Sequence, residues 1–335
     1  RPPPPTTLFP STTLFRSHCV TESRKLATIT GSTTDSARLA TTPLVAEAVG
    51  ADRRFDVPQI TRQSLWVALG LGVLGFLLLR LSPLLFAPLG VPENLQSMTT
   101  TYLHGVSYGL PAVALYSVLR CYSEALGHPR AVTVISLLGL ALNVPLNYAF
   151  IYGYGMIPAM GGPGCGYATA ILMWGMTGLL ALYVSVAKHY ADIRLFDRFE
   201  VPNRQMITKI LALGVPIGIA IFFEVSLFSL AALILSPLGE TVVAAHQIAL
   251  SVTSQLFMIP LSLAIALTIR IGQLYGEQNW QKLHLVRWLG FVTCTLLACC
   301  TMLLIAVSRD AMARAYTSDA EVQALAVYLL LFALA

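Results

Sequence analysis

Glu224 stands in the middle of the apolar run 207–236, with Phe222, Phe223, Val225 and Leu227 beside it. A carboxylate at the centre of a membrane helix costs about 2.5–3.5 kcal/mol on translocon scales, so an ionisable group at that depth is read first as functional. Its charge calls for a cation. Na⁺ binds it, or a proton neutralises it, and release reverses the step, which is the chemistry of ion coupling. Glu224 is therefore the candidate Na⁺ ligand or proton carrier. The bland alternative is a carboxylate hydrogen-bonded to a neighbouring helix for structure alone.

Gly214, Pro216 and Gly218 precede it in the same run. Proline removes a backbone donor and crowds the preceding turn, so a kink with freed carbonyls is expected there. The kink serves as a cation-binding or hinge element, or as a simple packing bend. Asn143 and Asn147, spaced i, i+4 around Pro145, share one helix face. Their amide oxygens, a freed carbonyl and the hydroxyl of Thr169 on the next run suit a hard cation. Interhelical hydrogen bonding, at about 0.6 kcal/mol per bond, is the plainer account. Tyr102, Tyr108, Tyr116, Phe222, Phe223, Phe228 and Met258 could line a cavity for aromatic cations through ring faces and soft sulfur. Core or lipid packing is the competing fate for each. His246 and Gln247 open another run and read as structural. Arg80 reads as snorkelling to the interface.

The elements that position these residues follow from composition. Hydrophobic residues make up 56% of the 335 and charged residues 11%, against roughly 25% charged in soluble domains. Lipid must be the solvent for most of this chain. Eight runs approach the 20 or so apolar residues that a span requires: 64–86, 99–125, 131–152, 163–187, 207–236, 241–269, 286–307 and 321 onward. Loops 51–63, 119–130, 188–209 and 270–287 hold thirteen Lys and Arg together, while the alternate loops hold Arg309 and Arg314 alone. This bias places the basic loops in the cytoplasm. An all-α polytopic membrane protein is expected, embedded in the bilayer. Nucleic-acid binding is excluded because acidic neighbours interrupt the basic residues of 188–209. No metal-cluster or phosphate-loop spacing appears, and the six cysteines suggest no disulfide framework.

Residues 1–40 are expected to be a disordered, artefactual tail resembling translated adapter sequence. The remainder divides into a first bundle (41–187), a cytoplasmic linker (188–206) and a second bundle (207–335). A faint repeat pairs Ala40–Gly50 with Ala266–Gly276 at an offset of 226 residues (276 minus 50), as in transporters built from repeated bundles.

Three stretches go further: PAVALYSVLRCYSEALGHPR from Pro111, LNVPLNYAFIYG with GGPGCGYATAILMW up to Trp174, and Gly214–Gly276 with its Ala-Ala-His-Gln. Over residues 41–335 the chain resembles the multidrug and toxic compound extrusion (MATE) family, in its NorM-like bacterial branch. The resemblance implies two six-helix bundles, here reduced to about eight spans. It also implies a monomeric drug/cation antiporter of the bacterial inner membrane, using Na⁺ or H⁺ and no other cofactor. It carries the family's cation-coupling glutamate onto Glu224, and its second cation site onto Asn143, Asn147 and Thr169. The family's aspartates of the first and tenth helices have no counterpart here. The alternatives are a lipid-linked oligosaccharide flippase and an inactive fragment. A membrane enzyme lacks any nucleophile–base motif.

Overall fold

The computed structural model describes residues 40–85, 93–154, 158–187, 190, 195–197, 200–235, 239–317 and 319–332. The expected tail, Ala40 apart, lies outside them. Every element among the described residues is a helix: α1 (residues 40–50), α2 (Asp56–Leu81), α3 (Glu93–Ser107), α4 (Leu110–Ala125), α5 (Pro129–Tyr152), α6 (Gly164–Val186), α7 (Arg204–Leu235), α8 (Glu240–Gly276), α9 (Trp280–Tyr316) and α10 (Ala320–Phe332), with a short 3₁₀ turn after α2. Six described helical stretches are long and apolar enough to cross a membrane, within α2 and α5 to α9. The protein is an all-α polytopic membrane protein.

The span expected over 99–125 is two helices, α3 and α4, parted at Tyr108–Gly109. Pro111 explains the break: it offers no N–H to the turn before it, and its ring crowds that turn. At the break the carbonyl of Tyr108 accepts from Trp174 Nε1 on α6 at 3.0 Å. Trp174→Phe keeps most of the ring and strands that carbonyl. We expect a loss of about 1 kcal/mol, read as a lower unfolding temperature in detergent. An unchanged temperature would show the bond to be idle.

Among the described residues, 40–45 and 53–222 form one compact unit, and 46–52 with 223–332 a second. In the first, α2 packs on α4 and α6 packs on α3, α4 and α5. Small residues let the backbones touch. A β-carbon on Gly105 would lie 2.8 Å from the Tyr167 nitrogen, and one on Gly166 would lie 2.6 Å from the Tyr102 carbonyl. Gly164 likewise faces the Phe150 carbonyl at 2.5 Å. Close approach through small residues is how membrane helices associate without a hydrophobic drive. The Gly-x-Gly-x-Ala-Thr-x4-Trp stretch of α6 is thus a packing device. In the same unit Ala40, Val67, Ala68, Ala114, Val118 and Ile210 make one core cluster, and Leu79, Leu103 and Leu110 another.

In the second unit α8, α9 and α10 pack on one another around Ala245, Ala313, Val322 and Ala326. Here the two repeat segments meet reciprocally. A β-carbon on Gly50 would lie 1.9 Å from the Gln273 carbonyl oxygen, and one on Gly276 would lie 2.2 Å from that of Glu47. Residues 47 and 273 are themselves 226 apart (273 minus 47). Both helices end alike: Ala51 N donates to Glu47 and Asp52 N to Val49, as Glu277 N does to Gln273 and Gln278 N to Tyr275. Asp52 and Gln278, at φ 54° and 56°, are the non-glycine residues with positive φ among those described.

Candidate functional site

Glu224 lies 20 residues into the 32-residue α7 (224 minus 204). Its side chain is exposed, and Phe222 (43%), Phe223 (61%), Leu227 and Phe228 around it are exposed too. This stretch of α7 turns a carboxylate outward among apolar rings. Pro216 sits inside α7 without ending it, with Gly214 buried and Gly218 half-buried. The boundary between the compact units falls between Phe222 and Phe223, after the proline and just before Glu224.

Asn143 and Asn147 do share a face of α5, across Pro145. The Asn147 amide donates to both the main-chain and side-chain oxygens of Asn143, at 2.9 and 3.0 Å. Among the described residues no hydrogen bond to the Asn147 side-chain oxygen is seen. The Thr169 hydroxyl donates to the Cys165 carbonyl of its own helix at 2.8 Å. Among the described residues no hydrogen bond ties it to either asparagine.

The aromatic residues scatter. Tyr116 is buried and its hydroxyl bonds Ser136 of α5 at 3.0 Å, so it faces helix packing and not a cavity. Tyr102 packs on the Leu79–Leu103–Leu110 cluster. Tyr108 is held by Arg80, which hydrogen-bonds its hydroxyl at 2.5 Å and lies 5.1 Å above its ring and 5.5 Å from that of Phe76. Arg80 is therefore caged by two rings rather than loose at an interface. Met258 lies exposed on α8. His246 and Gln247 lie half-buried in its second turn. The described residues hold no group of three metal-ligating side chains.

One polar cluster has no counterpart in the sequence reading. On α2, Arg62 Nε donates to the Leu195 carbonyl at 2.6 Å and Nη1 pairs with Glu200 Oε1 at 2.5 Å. Gln63 and Trp66 also bond residues 200–203. A cavity of about 290 Å³ between α2, α4 and this segment is lined by Leu65, Trp66, Leu69, Leu115 and Phe196, with the ion pair on its wall. The signal in the sequence was three polar or amphipathic side chains at i, i+1 and i+4 on the first turns of an apolar run.

The family model described as MatE matches residues 23–149 and 216–335, beginning inside the segment expected to be a tail. The chain is 57% identical over 297 residues to the probable multidrug resistance protein NorM of Acinetobacter baylyi, covering 89% of this chain and 66% of that protein. It is 41% identical over 295 residues to the multidrug resistance protein PmpM of Pseudomonas aeruginosa, covering 88% and 62%. It thus spans a little under two thirds of the length of these relatives. Among solved structures, the eukaryotic MATE transporter AtDTX14 superposes with a TM-score of 0.84 at 17% identity, covering 94% of this chain and 71% of that one. An outward-facing multidrug resistance MATE family transporter gives 0.82 at 22% identity, covering 93% and 69%. The chain belongs to the MatE family of membrane transporters.

Proposed function

We propose that the protein is a secondary antiporter of the bacterial inner membrane. It exports amphipathic organic cations in exchange for Na⁺ or H⁺ by alternating access, as a monomer and with no other cofactor. The carrying observation is the carboxylate of Glu224 at mid-helix among apolar side chains. A cation that binds there in one conformation shifts the equilibrium only by its differential affinity for the two states. The multidrug resistance names of relatives at 41–57% identity support the substrate class. Asn143, Asn147 and Thr169 are proposed as a second cation site in the first bundle (41–187), joined by the 188–206 linker to the second (207–335).

The test is dye efflux, read as dye uptake into everted vesicles whose cytoplasmic face is outward, containing the protein as encoded at its genomic locus. Collapsing the Na⁺ and H⁺ gradients with ionophores stops efflux, and ATP without a gradient does not restore it. Efflux that survives both ionophores contradicts antiport.

A further inference from the structure

We propose that Gln63, seconded by Arg62 and Trp66, is a positioning residue of the transport cycle: it fixes the start of α7, the helix that carries Glu224. The proposal rests on the reading of Glu224 as the coupling site.

Gln63 is 1% exposed, and both of its polar atoms are spent on one backbone segment. Its Nε2 donates to the Val201 carbonyl at 3.1 Å, and its Oε1 accepts from Asn203 N at 2.7 Å. Asn203 directly precedes α7, and its side-chain oxygen accepts from Gln205 N at 2.9 Å. That is an N-cap, satisfying a donor the helix cannot satisfy itself. Gln63 therefore holds the residue that begins α7. Trp66 Nε1 adds a bond to the Glu200 carbonyl at 3.0 Å, and Arg62 grips Glu200 and Leu195.

The segment is anchored upstream as well. Tyr190, 2% exposed, stacks on Tyr122 of α4 at 5.6 Å and meets His128 and Tyr183 edge-on. A connection that only spans two helices needs no such buttress, since most loops run free over the surface. Helix geometry supplies the lever. Slipping α7 by one residue moves Glu224 about 1.5 Å along the axis and turns it by about 100°, whereas a site must hold to about 0.5 Å.

The experiment uses the protein as encoded at its genomic locus, reconstituted in proteoliposomes, with two readouts. One is the rate of tryptic cleavage after Arg204, which is exposed at the start of α7. The other is the Na⁺ or H⁺ concentration giving half-maximal dye efflux. Gln63→Met keeps the length and removes both polar atoms. We expect about tenfold faster cleavage and about a tenfold higher half-maximal cation concentration. Gln63→Glu retains the acceptor for Asn203 N and falls between Met and Gln. Trp66→Phe removes one donor, shifts both readouts less, and carries the test if Gln63→Met does not fold. Unchanged cleavage overturns the proposal. Faster cleavage with an unchanged half-maximal concentration also overturns it, since the contact then merely fastens the linker. If Glu224→Gln retains ion-driven efflux, the coupling reading fails and the positioning role falls with it, while the cleavage readout still reports whether Gln63 holds the helix start.

Discussion

Glu224→Gln is expected to lower ion-driven dye efflux by about 100-fold while leaving membrane expression and unfolding temperature near those of the parent. The amide has the same shape and no charge, so packing survives and the cation loses its ligand. A coupling free energy of about 3 kcal/mol, the upper part of the usual range, corresponds to roughly that factor. Relieving a mid-helix charge of its desolvation cost would, if anything, stabilise the fold. Glu224→Asp retains the charge on a shorter stem and should recover part of the coupling. A mutant that pumps at the parent's rate under either gradient removes Glu224 from the mechanism and makes it a structural carboxylate.

Gly276→Ala should destabilise the fold by about 1–2 kcal/mol, against the ordinary sign of the substitution. In a helix, Gly to Ala normally stabilises by about 0.5–1 kcal/mol. Here the new methyl would lie 2.2 Å from the Glu47 carbonyl oxygen and 2.6 Å from the Ala51 nitrogen. Both are backbone atoms, which cannot swing aside as a side chain does, so the helices must separate, at an overpacking cost of about 1–3 kcal/mol. Gly50→Ala meets the Gln273 backbone and should cost a similar amount. Because the two share one seam, the double variant should cost less than the sum, since the first methyl has already parted the helices. Unfolding in detergent, followed by tryptophan fluorescence, measures all three. Gly276→Ala at or above the parent's stability would mean that the reciprocal contact does not form.

Much of this architecture could be read from the chain because lipid imposes a simple rule on it. Apolar runs of about 20 residues must be helices. The repeat was legible through Gly50 and Gly276, since a glycine at a backbone crossing cannot be replaced without moving a helix. The break at Tyr108 was not, although Pro111 stood in plain view. Hydropathy averages over a window, and a kink of one or two residues leaves the average unchanged. Tyr116 was grouped with the cavity residues because ring chemistry says nothing about which way a ring faces; its bond to Ser136 needs the α4–α5 contact to be known. Asn143 and Asn147 could be paired from spacing alone, whereas Thr169, on another helix, could not. The grip of Arg62, Gln63 and Trp66 on residues 195–203 joins positions more than 130 apart in the chain. Locally those side chains look like ordinary polar residues at the foot of a span, marking topology.

Competition between the coupling ion and an organic cation tests the central claim most directly. With protein purified as encoded at its locus, radiolabelled Na⁺ binding, or proton release on adding dye at fixed pH, would be titrated with a fluorescent organic cation. The account predicts mutual displacement: the dye releases Na⁺ or H⁺, its affinity falls as either cation rises, and Glu224→Gln abolishes the linkage while still binding dye. Dye and cation binding independently, with no release and no effect of Glu224→Gln, would contradict it.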